Sequence, residues 1–119
     1  MLKYTEDHEW LKQDGDEIIV GITAHASEQL GDVVFVELPD PGREVTKGEE
    51  IVVIESVKAA SDIAAPIAGI VMAVNDELTD NPGAVNEDPM GAWFFRIKPA
   101  DGEAIDSFMD EAAYQALIG

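Results

Sequence analysis

The sequence predicts a mainly β fold, a sandwich of short strands with short helices and a helical C-terminal tail. Short apolar, β-branched runs recur at 17–22, 33–38, 51–56, 70–74 and 93–97, separated by clusters containing Gly, Pro, Asp or Asn. Two of them, Gly31-Asp32-Val33-Val34-Phe35-Val36 and Gly69-Ile70-Val71-Met72-Ala73-Val74, are alike enough to suggest two related halves. A long helical stripe appears only in the tail, where Ile105, Phe108, Met109, Ala112, Ala116 and Leu117 fall near one face between Glu103 and Ile118.

Taken in order, Lys3-Tyr4-Thr5 and His8 to Leu11 read as extended pieces, with Asp14-Gly15-Asp16 turning into a strand at 17–22. Thr23 is placed to cap a helix from Ala24 to Leu30, whose Ala26 and Leu30 share a face, and Gly31 to end it. Asp32 to Leu38 is apolar enough to predict burial on both faces, and Pro39 to Gly42 stops it. Val45 to Glu49 reads as a turn. Ile51 to Ser56 and Ile63-Ala64-Ala65 form a hairpin, and Pro66 and Gly69 bracket the return through Ile70 to Val74. Asn75 to Pro89 is a polar loop with room for a turn of helix, and Trp93 to Ile97 is the closing strand. In the tail, Ser107 and Asp110 are candidate caps of two short helices.

At 119 residues the chain is expected to be one domain, 1–119, with a core over about 2–98 and the tail over about 103–118. An apolar content of 46% argues for a folded chain, and 25 acidic against 7 basic residues give a formal charge of −18. Such a charge is repelled by nucleic acid and anionic membranes, so neither is expected as a partner. There is no cysteine, so sulfur chemistry must come from a cofactor. No apolar run is long enough to span a membrane, and the first residues do not read as a signal or transit sequence. The expectation is a cytoplasmic protein of bacterial type, or a trimmed organellar one.

One residue organises the chemistry. Lys58 is the sole basic residue between Lys47 and Arg96, and the hairpin puts it at or near the turn. A lone turn lysine is ordinarily a solvated charge or an edge gatekeeper. Here Val57 and Ala59 are compact and uncharged, leaving room for an enzyme to close over the amine. With an ordinary lysine pKa only about one amine in a few thousand is neutral at pH 7, and the nearest acids in sequence, Glu55 and Asp62, favour the ammonium. Lys58 is therefore better suited to being modified than to catalysis.

Other constellations are incomplete. Ser56 and Lys58 are spaced as a Ser-x-Lys pair but lack a desolvated amine. His8 and His25 have no metal-ligand spacing, and the acids of 76–88 lack the calcium-loop pattern. No glycine-rich phosphate loop is present, and Trp10 and Trp93 read as core or loop anchors.

Five separated motifs carry a resemblance: Tyr4-Thr5 with His8-Glu9-Trp10, Val20 to Thr23, Leu30 to Pro39, Glu55 to Asp62, and Asn86 to Pro89. In wording and spacing, from about Leu2 to Lys98, they resemble the H-protein family of the glycine cleavage system. Ala64, where the family often has an aromatic residue, and Ala92, where Gly is common, depart from it. The resemblance implies a lipoyl/biotinyl-domain-like β-sandwich, or hybrid barrel-sandwich, that acts as a non-catalytic carrier with lipoate in amide linkage on Lys58. The implied partners are glycine decarboxylase (P protein), aminomethyltransferase (T protein), dihydrolipoyl dehydrogenase (L protein) and a lipoate ligase or lipoyltransferase.

A carrier of a labile, cationic aminomethyl group should hide it among acids. The resemblance places Glu9 and Asp62 near such a cleft, and Glu55 stands ready for recognition by the lipoylating enzyme. The alternative for each of the three is an ordinary surface acid. Alternative functions are a lipoyl relay that donates its group to 2-oxoacid dehydrogenases and an unmodified acidic binding domain. A biotin carrier is disfavoured because Met does not flank Lys58.

Overall fold

The computed structural model describes residues 2–100 and 108–118. Strands β1 (Leu2–Tyr4), β2 (Glu9–Asp14) and β3 (Glu17–Ile22) form an antiparallel meander, and Gly15, at φ 66°, makes the β2–β3 turn. Helix α1 (Ala24–Leu30) follows. Thr23 Oγ1 accepts the Ala26 N–H at 3.2 Å, and the Gly31 N–H donates to the Ser27 carbonyl.

The chain continues through β4 (Val33–Glu37), the two-residue β5 (Glu44–Val45), β6 (Glu50–Ser56), β7 (Ala60–Ala64) and β8 (Gly69–Val74). Two one-turn helices, α2 (Glu77–Asp80) and α3 (Ala84–Glu87), occupy the polar loop before β9 (Phe95–Pro99), and α4 (Glu111–Ile118) closes the chain. Among the described residues the strands make a sheet of six, ordered β1-β2-β3-β9-β8-β5, and one of three, ordered β4-β6-β7. The core lies between them. Leu11, Val20, Val71, Phe95 and Ile97 from the larger sheet meet Val36, Val52 and Ile54 from the smaller, with Leu78 and Val85 of α2 and α3 in the same cluster.

The two similar hexapeptides occupy one strand in each sheet. Both break register between their third and fifth residues, at Val33/Phe35 in β4 and at Val71/Ala73 in β8.

Three expectations change. β4 is not buried on both faces: Val34 and Phe35 are 55% and 45% exposed. The bulge turns two successive side chains outward, which a strict alternation would forbid. Val45 belongs to a strand, β5, which pairs with β8, and not to a turn. In the tail, Ala112, Ala116 and Leu117 are exposed, whereas Tyr114 is buried and Ile118 half-buried. The two-turn helix touches the sheet through this i, i+4 pair, because Tyr114 adds a stacked ring and a hydroxyl bond that the aliphatic stripe lacks. Asp110 caps α4, its Oδ1 accepting the Ala113 N–H at 2.9 Å. Residues 103–107 of the predicted tail, with Ile105 and the cap Ser107, lie outside the described residues.

Candidate functional site

The β6–β7 hairpin ends in the turn Ser56-Val57-Lys58-Ala59, and Ser56 builds it. Its hydroxyl donates to the Ala59 carbonyl at 3.0 Å and accepts the backbone N–H groups of Lys58 and Ala59. That hydroxyl is thus engaged with the turn backbone and is not paired with the Lys58 amine. The Val57 N–H donates to the Asp32 carbonyl at 3.0 Å, fastening the turn to the start of β4.

Lys58 is exposed at the apex. Its stem lies on the bare backbone of Gly31, where a Cβ would stand 2.7 Å from Cε, and Gly31 has φ 79°. Among the described residues no carboxylate forms an ion pair with its ammonium. Glu55 is exposed on the outer face of the small sheet, between its register partners Phe35 and Ala60.

Glu9 and Asp62 meet elsewhere. They line a cleft of about 620 Å³ between the 6–9 segment and β7, with Glu6, Asp7, His8, Glu50 and Ser61. Asp62 is four residues along the chain from Lys58, a strand length of roughly 13 Å. A contiguous cavity of about 350 Å³ shares Glu9 and Ala64 and extends toward Lys47, Phe108 and Met109.

Glu9 is not a surface acid. It is 3% exposed, Oε1 accepts from Thr5 Oγ1 at 3.1 Å, and Oε2 has no hydrogen-bond partner among the described residues. Burial pushes its carboxyl up to about 8, against a smaller lowering by Thr5. His8 beside it has φ 66°, uncommon for a residue with a Cβ. Its ring packs at 4.7 Å on His25, and Nδ1 is 2.8 Å from the Tyr114 hydroxyl.

Sequence reasoning missed Glu50. Its carboxyl shares the cleft with that of Asp62, and the interaction between the two acids raises it above the usual carboxylate range. Counting back from the turn, with Glu55 opposite Ala60 and Val53 opposite Asp62, puts Glu50 opposite Ala65; only the register shift between Glu50 and Val52 brings it level with Ala64 and diagonal to Asp62.

A two-sheet sandwich with a protruding hairpin, an uncommitted amine at its tip and an acidic cleft along its flank defines a carrier domain of the lipoyl type. The glycine cleavage H-protein family model matches residues 2–119. The glycine cleavage system H protein of Myxococcus xanthus is 52% identical over 118 residues, covering 98% of this chain and 92% of its own. H protein 1 of Pseudomonas aeruginosa is 56% identical over 119 residues, covering 98% and 93%. The crystal structure of the H protein from Mycobacterium marinum superposes with a TM-score of 0.89 at 37% identity, covering 99% of this chain and 96% of that one. The chain belongs to the glycine cleavage H-protein family. It is a carrier subunit of the glycine cleavage system, in a family of lipoyl-bearing proteins; the relay and binding-domain alternatives are not favoured. No described helix is long and apolar enough to cross a membrane.

Proposed function

We propose that Lys58 is the residue that bears lipoate, and that the whole chain, 1–119, works as one carrier domain. The observation that carries this reading is the exposed amine at the apex of the β6–β7 turn, unpaired among the described residues and flanked by compact side chains. The site fits an acyl group in amide linkage. Nζ sheds one proton to become nucleophilic and a second as the amide forms, while the activating group leaves the acyl carbon of an adenylate or thioester donor. When bound, the lipoyl dithiolane supplies the sulfurs that carry the one-carbon unit and the electron pair.

The chain's own residues do the rest. The turn holds the amine away from the sheets, within reach of other proteins. Glu9 and Asp62 hold a cationic amine in the cleft, where Glu9 Oε2 is buried without a partner among the described residues. Wall residues such as Ile63 and Ala64 limit water there. The proteins served are glycine decarboxylase, aminomethyltransferase and dihydrolipoyl dehydrogenase, with a lipoate ligase or lipoyltransferase loading the arm and Glu55 contributing to its recognition. The compartment is the cytoplasm.

Intact mass after incubation with lipoate, ATP and a lipoate ligase tests the assignment. One lipoyl increment is expected, absent in Lys58→Arg, and only the acylated form should support glycine–bicarbonate exchange with the P protein. An acylated Lys58→Arg protein, or exchange supported by it, overturns the assignment.

A further inference from the structure

Three of the exposed large apolar residues, Val34, Phe35 and Val57, cluster around the lysine turn. The register shows why. Val33 is opposite Ser56, the Val57 N–H bonds the Asp32 carbonyl, and Phe35 is opposite Glu55, so the start of β4 lies beside the turn. The bulge at Val33/Phe35 then turns Val34 and Phe35 out of the core. Exposed apolar side chains grouped on one face mark an interaction surface more often than scattered ones do.

The acids bordering this patch are Asp32, Glu37 and Glu55, all exposed, and the sole base between residues 47 and 96 is Lys58 itself. The complementary surface is therefore an apolar hollow with a basic rim. The unmodified amine fixes which partner that is. An acylated arm reaches out to its partners, but a bare lysine extends only the length of its own stem. Whatever first acylates Lys58 must come down onto the turn and cover what lies beside it.

We propose that the enzyme acylating Lys58 docks on the outer face of β4–β6–β7, burying Val34, Phe35 and Val57 against it. This rests on Lys58 being the acylated residue. It goes further in assigning binding to apolar residues on a strand remote in sequence from the lysine.

Initial rates of lipoyl transfer by a lipoate ligase with lipoate and ATP, followed by intact mass at varied carrier concentration, test it. Phe35→Ser and Val57→Ser should each raise KM at least fivefold, with kcat within twofold and an unchanged urea midpoint. Met72→Ser removes an equally exposed side chain, 44% accessible, from the corresponding strand β8 of the other sheet. It should leave KM unchanged. An unaltered KM in both hairpin-side variants, or an equal rise in Met72→Ser, overturns the proposal while leaving Lys58 as the attachment residue. A solution dimer that Phe35→Ser dissolves assigns the face to a second copy and also overturns it. Failure of the unsubstituted protein to be acylated, or acylation of Lys58→Arg, removes both readings.

Discussion

The hydroxyl of Tyr114 lies 2.7 Å from Oγ1 of Thr23 and 2.8 Å from Nδ1 of His8, so the tail helix is tied to the start of α1 and to the wall of the cleft. The Tyr114 ring stacks on Tyr4 at 4.7 Å, nearly parallel, in a cluster with Trp10. Removing the hydroxyl alone keeps the packing and takes one partner from the His8 nitrogen and one from the buried Thr23 hydroxyl, which retains its bond from the Ala26 N–H. Tyr114→Phe should therefore cost about 1–3 kcal/mol, read as a lower urea midpoint.

Glu9 gives stability an unusual pH dependence. Its carboxyl is pushed up to about 8 in the folded protein, against an ordinary value of 4.5, so the folded state holds a proton that the unfolded chain releases. Stability from this group falls as pH rises through that window, opposite to a salt-bridged acid, by roughly 5 kcal/mol in all. Glu9→Gln keeps the shape and removes the ionisation. Its urea midpoint should exceed that of the unsubstituted protein at pH 9, with the difference almost gone at pH 5; equal gains at both pH values would contradict the assignment.

The hairpin was legible because a turn leaves local marks. The apolar runs on either side of a lone base placed Lys58 at or near a turn, and Thr23, Gly31 and Asp110 announced their helix ends by local residue type. Glu9 was named only through family resemblance, since an acid beside Trp10 carries no local sign of burial; its surroundings include Ile22 of β3, its register partner, and Thr5, whose hydroxyl bonds it. The exposure of Phe35 was illegible for a related reason. A bulge is a property of two paired strands, and composition alone made β4 look like a core strand.

The cleft predicts slow leakage of cargo. If Glu9 and Asp62 hold the cationic amine, each contributes a charge-assisted hydrogen bond, and losing one such bond accelerates escape about 10- to 100-fold. The Glu9→Ala/Asp62→Ala double variant, loaded on Lys58, should lose its aminomethyl group that much faster in the absence of transferase. An unchanged half-life would remove both residues from the site.

Asn86, in the motif before Pro89, ties down the platform beneath the lysine. Its Nδ2 donates to the Gly31 carbonyl at 2.7 Å and to Ser27 Oγ at 3.3 Å, and its Oδ1 accepts the Val33 N–H at 2.8 Å. One half-buried amide thus joins α3 to the last turn of α1 and the first residue of β4, on either side of the Asp32 carbonyl that anchors the lysine turn. Asn86→Ala deletes all three bonds and should cost about 2–4 kcal/mol, as a half-buried group with several partners does. Asn86→Asp preserves the acceptor for Val33 but turns a carboxylate toward the Gly31 carbonyl, in a chain already at −18. That variant should match the alanine loss at pH 7 and recover part of it near pH 4, where a protonated carboxyl again donates to Gly31. Urea midpoints of both variants at the two pH values check the ordering, and a pH-independent Asn86→Asp penalty would show that the donated bonds contribute little.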